Sequence, residues 1–466
     1  MIEFKGIIIA GTNSGCGKTT VALGLMASFV RRGFKVAPFK VGPDFIDPGH
    51  HFKVTGAVSR NLDGWMLSKA YNLAGINKAA ETADIAVVEG VMGLFDGYDG
   101  KSEAGSTAQM AKWTDLPIIL VVNAKSMARS AAALVKGFEL FDKELKFAGL
   151  IFNNIGSSRH LVYLKEALEG NVKMPCLGGI RHDPEITIPE RHLGLVTRHD
   201  HSLSAEEINN LADLVDKNIN VNMLLDILPD IDFHEKYFLP VSSSQIIDKV
   251  RIAAAKDNAF CFYYQDNLDM LEACGAQLID FSPVQAKNLP QNIDGIYLGG
   301  GYPELFARQI ADNSDLRKEV KRKSMQGMPL YGECGGFMYL CREIIDKDGE
   351  IYPMTGCFPF TASMSSGLQS LGYREITLVK DTIIGKCGQI IRGHEFHYSK
   401  ITGCPKDENI ETIYRVSNRA GLDMAAKGFQ IFRTLGSYIH LHFGSRPEAA
   451  RQFIDACIDY RRKRRI

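Results

Sequence analysis

The chain has 466 residues, enough for two or three domains at roughly 100–200 residues each, and its 54 Lys+Arg balance 54 Asp+Glu to a formal net charge of +0. That balance excludes affinity built mainly on neutralising a phosphate backbone or an anionic membrane surface, so a small-molecule substrate is expected, with no nucleic acid and no membrane partner. With 45% hydrophobic and 23% charged residues the composition is that of an ordinary globular protein, and no apolar run approaches the ~18–20 residues of a membrane span.

The chain begins almost directly with a strand-like segment, Ile7–Ile9. A cytoplasmic protein is therefore expected, and a homo-oligomer is compatible with the sequence. Near-continuous apolar runs at Ile7–Ala10, Val36–Val41, Ile85–Val88, Ile118–Val122 and Leu150–Phe152 alternate with helical stretches. This pattern predicts an α/β fold with a mainly parallel sheet covered by helices on both faces, whose ligands gather just past the strand ends. A polar helical stretch, Ser204–Leu228, precedes a segment without periodicity, and the β/α alternation restarts at Ile252–Ala255, Gln277–Phe281, Ile296–Leu298 and Pro329–Tyr331. The expected domains are 1–228 and 249–466, each a mainly parallel sheet flanked by helices, joined by a linker at 229–248. Final strands are expected around Gly393–Ser399 and Ser437–Phe443, and the basic run Arg461–Arg465 reads as a solvated helix end.

Past the first strand lies Gly11–Thr20, GTNSGCGKTT, followed by a helical pattern. The context is that of a phosphate loop, although one residue longer than the commonest spacing. Amides around Gly15 and Gly17 and the helix N-terminus face the phosphates of ATP, Lys18 reaches the outer phosphates, and Thr19 and Thr20 follow it. Past later strands stand Asp44 and Glu89, which with Thr19 compose an oxygen-rich Mg²⁺ site. Lys40 is placed to stabilise a transferring phosphoryl group. Asn153-Asn154 follow the last strand of this half, and Asn154 is a candidate for an adenine edge. Asp96 and Asp99 sit in Asp-Gly pairs and are first of all turn formers. Pro189-Glu190-Arg191-His192 is a polar cluster suited to an acidic substrate or a domain interface.

In the second half, Gly332-Glu333-Cys334-Gly335-Gly336 follows a strand and precedes a helical pattern, the spacing of a nucleophile elbow. The helix N-terminus is expected to lower the Cys334 pKa and expose the thiol. Of the ten cysteines, none forms a CxxC pair; Cys261, Cys274, Cys357 and Cys387 read as buried structural thiols. A cysteine nucleophile needs a base and an oxyanion hole. Amides of Gly299–Gly301, with that of Gly335, suit the latter. His440 and His442 alternate along a strand and are expected on one face, so periodicity does not choose between them. His394 and His397 belong to another polar cluster, without zinc-motif spacing.

Taken together, these strings closely resemble the cobyrinic acid a,c-diamide synthase family over nearly the whole chain. The first half is similar to its dethiobiotin-synthetase-like ATP domain through GTNSGCGKTT, FKVGPDFIDPGHH, SRNLD, VVEGVMGLFDGYDG and PERHLGLV, and the second to its glutamine amidotransferase domain through LGGGYPEL, YGECGGFMYL, RGHEFHYS and SYIHLHF. The resemblance implies that glutamine is hydrolysed at Cys334 and that ammonia passes inside the protein to the first domain. There ATP phosphorylates a carboxylate of a tetrapyrrole-derived or corrinoid ring, and ammonia displaces phosphate, twice over. It implies His440 as the base, Gly300, Gly301 and Gly335 around glutamine, and substrate contact at Phe45, Ile46 and Asp47. Where many amidotransferases place a Glu two residues beyond the His, this chain has His442, so a Cys-His dyad is expected.

Two rivals bracket this reading. A partitioning-type P-loop ATPase usually carries a Lys where this loop has Asn13, and would have no use for Cys334. Within the family, close relatives amidate cobyrinic acid, hydrogenobyrinic acid, sirohydrochlorin or its nickel complex; cobyrinic acid is the first choice.

Overall fold

The computed structural model describes residues 4–182, 203–231, 249–403 and 410–465. These fall into two compact units. The expected linker lies mostly outside the described residues, as does the cluster Pro189–His192.

The first unit is built on a seven-stranded sheet of β1 (Lys5–Gly11), β2 (Val36–Val41), β3 (Arg60–Leu62), β4 (Ile85–Glu89), β5 (Ile118–Asn123), β6 (Phe147–Ile155) and β7 (Cys176–Arg181). The spatial order is β3-β2-β4-β1-β5-β6-β7, and every pairing is parallel. The apolar runs are continuous because both faces are buried. Ile8 and Ala10 join one core with Val88 and Leu120, while Ile7 and Ile9 join the other with Val87 and Val121. On the second face lies α1 (Lys18–Arg31), against the helix Ala205–Asn218 with its buried Leu211, Ala212 and Val215. Ser204 starts that helix with a complete capping box. The expected single helical stretch is in fact two, since Ile219 turns extended and Asn220 caps a short helix, Val221–Ile227.

The second unit carries a ten-stranded sheet. Five strands are parallel: β8 (Val250–Ala255), β9 (Ala276–Phe281), β10 (Gly295–Leu298), β11 (Leu330–Glu333) and Thr434–Ser437, in the order β9-β8-β10-β11 and then Thr434–Ser437. Beyond them runs an antiparallel arm of Asp423–Ile431, Glu411–Asn418, Ser370–Leu378, Ile390–His397 and Ile439–Leu441. Only Tyr438 separates the last parallel strand, Thr434–Ser437, from Ile439–Leu441 at the far end of the arm, so the arm curls back and pairs His440 with His394. Most of this arm is half exposed and lacks the apolar runs of a buried parallel sheet, which is why only its last strands were expected.

The chain ends in the helix Glu448–Arg465. Its basic run is not wholly solvated: Arg461 is buried and donates to the Lys249 carbonyl at 3.0 Å, while Arg464 donates to Asp294, itself buried. No described helix is long and apolar enough to cross a membrane.

Asn267, fully buried in the helix Gln265–Ala273, ties down the segment after Tyr438. Its Nδ2 donates to the Leu441 carbonyl at 2.7 Å and its Oδ1 accepts from the Phe443 amide at 2.7 Å. Asn267→Ala leaves two buried backbone groups unpaired, each costing about 1–3 kcal/mol. Calorimetry should show the second unit melting roughly 5–15 °C lower; an unchanged melting temperature would contradict this role.

Candidate active sites

In the first unit the phosphate loop runs from β1 to α1. Gly17 caps the helix at φ 97°, a conformation open to glycine, and a Cβ there would collide with the side-chain amide of Asn153. Asn153 explains the close approach: from the end of β6 its Nδ2 donates to the Cys16 carbonyl at 3.0 Å, fixing the loop from behind. Asn154 adopts a left-handed backbone, φ 57°, and turns away to donate to Asn123 Oδ1 at 3.2 Å. The buried Lys18 donates to the Asn13 carbonyl at 3.3 Å, closed over the loop, and burial lowers its pKa. Thr20 follows in the first turn of α1.

Glu89, at the end of β4 and fully buried, is the hub of this site. Its Oε1 accepts from Thr19 Oγ1 at 2.6 Å and from Lys40 Nζ at 3.0 Å; its Oε2 lies 2.8 Å from His51 Nε2. His51 Nδ1 in turn meets Ser59 Oγ at 2.9 Å, which fixes the ring. Burial alone would raise the Glu89 pKa, but Lys40 and His51 hold it well below the ordinary carboxylate range. Lys40 also pairs with Asp47 at 2.6 Å. Against the effect of burial, Glu89, Asp47 and Asp44 hold it above its usual value, whereas burial and the Glu89 charge push the Asp47 carboxyl up. Thus Asp47, expected at the substrate, is a partner of Lys40.

Asp44 Oδ1 accepts from the amides of Ile46, at 2.7 Å, and Asp47, at 3.2 Å, capping α2 (Ile46–Thr55). Phe45 and Ile46 are half buried at the start of that helix. Asp96 and Asp99 behave as turn formers, accepting from the amides of Gly93 and of Lys101 and Ser102. For Mg²⁺, the hydroxyl of Thr19 and the carboxylate of Glu89 offer adjacent hard oxygens. Among the described residues no cluster of three His, Cys, Asp or Glu could hold a metal. The donor set fits an ion that takes one or two carboxylates and completes its shell with phosphate and water.

In the second unit Cys334 joins β11 to the helix Gly335–Leu340 at φ 48°, the strained backbone of an elbow. Two expectations fail here. The thiol is buried, not exposed, and burial together with Glu304 raises its pKa instead of lowering it; the six-residue helix does not reverse this. The sulfur lies 3.8 Å from the Phe396 carbonyl. Glu304 is itself pushed to about 7 by burial.

The oxyanion hole is smaller than expected. The Gly299 amide donates to Tyr263 Oη at 2.8 Å and the Gly300 amide to the Phe262 carbonyl at 3.0 Å. The candidates that remain are the amides of Gly301 and Gly335, which sit together: a Cβ on Gly335 would lie 3.0 Å from Gly301 N. Gly300 serves instead as the floor beneath His440, whose Cε1 occupies the place a Gly300 side chain would need. His440 is buried and its pKa is lowered to about 3 by burial and the neighbouring His394 and His397. It rests as a neutral imidazole, suited to accept a proton.

His442 lies just past the strand in extended backbone, its amide donating to the Arg392 carbonyl at 3.0 Å, but its ring has partners different from those of His440. It caps the next turn, its Nδ1 accepting from the Gly444 amide at 3.1 Å, and its ring lies against Tyr264. The RGHEFHYS string builds a charged cluster of its own. The Glu395 carboxylate accepts from Arg374 Nε at 2.7 Å, from Ser370 Oγ at 2.8 Å and from Lys427, with His397 Nε2 at 3.0 Å. Of the cysteines expected to be buried, Cys274 and Cys357 are, but Cys261 and Cys387 are exposed: Cys261 points outward beside the buried Phe260, and Cys387 lies in the polar turn Gly385–Gln389.

Sequence comparison agrees with this division. Residues 7–196 match the family described as the CobQ/CobB/MinD/ParA nucleotide binding domain, and residues 251–448 the CobB/CobQ-like glutamine amidotransferase domain. Relatives named cobyrinate a,c-diamide synthase span the chain. That of Syntrophotalea carbinolica is 44% identical, covering 97% of this chain and 98% of its own. That of a Synechococcus strain is 43% identical with the same coverage, and that of Priestia megaterium 38%, covering 99% of each.

Asn153 was visible in the sequence only as the neighbour of Asn154. Asn153→Ala should weaken ATP binding about tenfold, the equivalent of one lost buried hydrogen bond of roughly 1.4 kcal/mol. Titration calorimetry with ATP checks this, and an unchanged affinity would rule out its role in holding the loop.

Proposed function

The chain belongs to the cobyrinate a,c-diamide synthase family, and on that footing we propose that it amidates the a and c carboxylates of cobyrinic acid. It is a glutamine-dependent carbon–nitrogen ligase that uses ATP. The observation that carries the reading is the presence in one chain of a cysteine elbow and a buried neutral histidine in one unit, and of a phosphate loop beside a buried carboxylate in the other. We assign the activating half to residues 1–228 and the glutaminase half to 249–466, joined by 229–248.

Ammonia cannot displace oxide from a carboxylate, so the acid must first become a mixed anhydride. In our reading the loop amides around Gly15 and Gly17 grip the ATP phosphates, Lys18 and Lys40 offset charge on the transferring phosphoryl group, and the ring carboxylate attacks it to give an acyl phosphate. Thr19 and Glu89, with Asp44, would hold Mg²⁺, which when bound would neutralise phosphate charge. At the second site His440 takes the Cys334 proton as sulfur attacks the glutamine amide carbon. The oxyanion forms against the Gly301 and Gly335 amides, ammonia leaves, and water releases glutamate from the thioester. Ammonia then expels phosphate from the acyl phosphate, and the cycle repeats at the second carboxylate.

Cys334→Ser should abolish synthesis driven by glutamine and keep synthesis driven by ammonium salts; retention of the glutamine reaction would overturn the glutaminase assignment. Incubation with cobyrinic acid, hydrogenobyrinic acid or sirohydrochlorin, glutamine and Mg-ATP, followed by mass spectrometry, tests the substrate. Two amide groups gained on cobyrinic acid are expected, and two on sirohydrochlorin with none on cobyrinic acid would reverse that choice.

A further inference from the structure

His440 needs an orienting partner, and the position two residues on is occupied by His442, which is engaged with Gly444 and Tyr264. We propose that Glu333, the residue immediately before the nucleophile, is the positioning residue for His440. This rests on the glutaminase reading of Cys334 and His440 above.

The geometry is specific. Glu333 is buried at the end of β11, and its Oε2 lies 3.9 Å from His440 Nδ1. The carboxylate is held by three donors: Tyr331 Oη at 2.5 Å and the Leu441 amide at 3.0 Å to Oε1, and Tyr297 Oη at 3.1 Å to Oε2. The Leu441 contact matters most, because it ties the carboxylate to the backbone next to His440 itself. Asn267 grips the same residue through its carbonyl. One buried carboxylate therefore fixes both the strand that carries the base and, through the peptide to Cys334, the turn that carries the nucleophile.

In a nucleophile–base–acid arrangement the acid faces the ring nitrogen that does not take the proton, and stabilises the imidazolium as it forms. Glu333 stands on the Nδ1 side. It favours the tautomer with hydrogen on Nδ1, leaving the Nε2 lone pair for the Cys334 proton. When sulfur attacks the glutamine carbonyl, that proton moves to Nε2 and the resulting positive charge sits beside Glu333. The proton then passes to the departing ammonia and the imidazole returns to neutral.

Burial raises the Glu333 pKa to about 7. The titratable groups around it are Tyr263, Tyr297, Tyr331, Tyr414, Cys334 and His440. The phenols and the thiol are all raised by burial, and His440 is lowered to about 3. Among them Glu333 changes charge near neutrality, and so does Glu304, which burial also pushes to about 7 and which bears on the Cys334 thiol. Because the Glu333 pKa is raised, the supporting carboxylate is present above about pH 7 and lost below it, so the kcat for glutamine hydrolysis should climb through that pH.

The test uses the full-length enzyme and its Glu333→Gln, Glu333→Asp and Cys334→Ser variants, with glutaminase kcat and KM, ammonia-driven synthesis and pH profiles measured for each. E333Q should lower kcat at pH 8 by about tenfold or more while KM for glutamine moves by less than about threefold. It should also shrink the limb near pH 7 to whatever Glu304 contributes and leave ammonia-driven synthesis intact. E333D, which keeps the charge at shorter reach, should recover part of kcat and retain the limb. A kcat within about twofold of the parent, a limb in E333Q as large as the parent's, or a loss of ammonia-driven synthesis in step with the glutamine reaction would overturn the proposal. C334S separates the two levels: if it still hydrolyses glutamine, the glutaminase reading falls and this inference with it, whereas an inactive C334S beside an unaffected E333Q overturns the inference alone.

Discussion

A carboxylate taken out of water must be matched by cations or by several hydrogen-bond donors, or else take a proton. Both units place one at the end of an inner parallel strand, Glu89 on β4 and Glu333 on β11, and each site is arranged around it. The two solutions differ. Glu89 faces Lys40 and His51 with the Thr19 hydroxyl, and these hold it ionised far below neutrality. Glu333 faces two phenols and an amide, all uncharged donors, and burial prevails to leave it near 7. A permanent anion suits a cation and a phosphate site; a carboxylate poised at neutrality suits support of a base.

The contrast explains why the two sites have different neighbourhoods. Around Glu89 every added charge has a counter-charge within reach: Lys40 serves both Glu89 and Asp47. Such a network holds fixed positions for groups that must meet phosphates and can exchange a lysine contact for a ligand oxygen without stranding a buried charge. Around Cys334 the packing is aromatic and aliphatic, with Phe337, Tyr438 and Tyr339 in the adjoining core, while Glu304, Glu395, His394 and His397 bear electrostatically on the thiol or the imidazole. There the strained turn and the Gly300–Gly301 backbone fix geometry.

Much of this was legible because parallel strands announce themselves as apolar runs and deliver chemistry at their ends. Lys18, Thr19, Lys40, Asp44, Glu89 and Cys334 all stand just past or at the end of a strand in the sequence, and the structure gathers the first five around one loop. What escaped has a physical reason in each case. Asn153 and Asn154 are neighbours at the end of one strand, and only the left-handed turn at Asn154 decides that Asn153 faces the phosphate loop. His440 and His442 differ in the partners of their rings, Gly300 and Glu333 for the first and Tyr264 and Gly444 for the second, which alternation along a strand does not reveal. Glu333 was passed over as one letter of the elbow, since nothing local says that three distant donors will converge on it. Gly299 and Gly300 were read as oxyanion donors because a sequence cannot show that Tyr263 and Phe262 take their amides.

Burial also sets the resting state of the nucleophile. It raises the thiol and lowers the imidazole, so the proton stays on sulfur and the pair is neutral, unlike a thiolate–imidazolium pair prepared in advance. Separating charge in that pocket is costly until the charge has somewhere to go. In the proposed glutaminase reaction, attack on a carbonyl would provide it, since negative charge would pass from sulfur to an oxygen facing the Gly301 and Gly335 amides while the imidazolium forms. Proton transfer and carbon–sulfur bond formation are thereby coupled, and a thiolate without substrate is disfavoured. The same burial that makes Cys334 a poor free nucleophile shields its sulfur from solvent, whereas Cys261 and Cys387 are exposed.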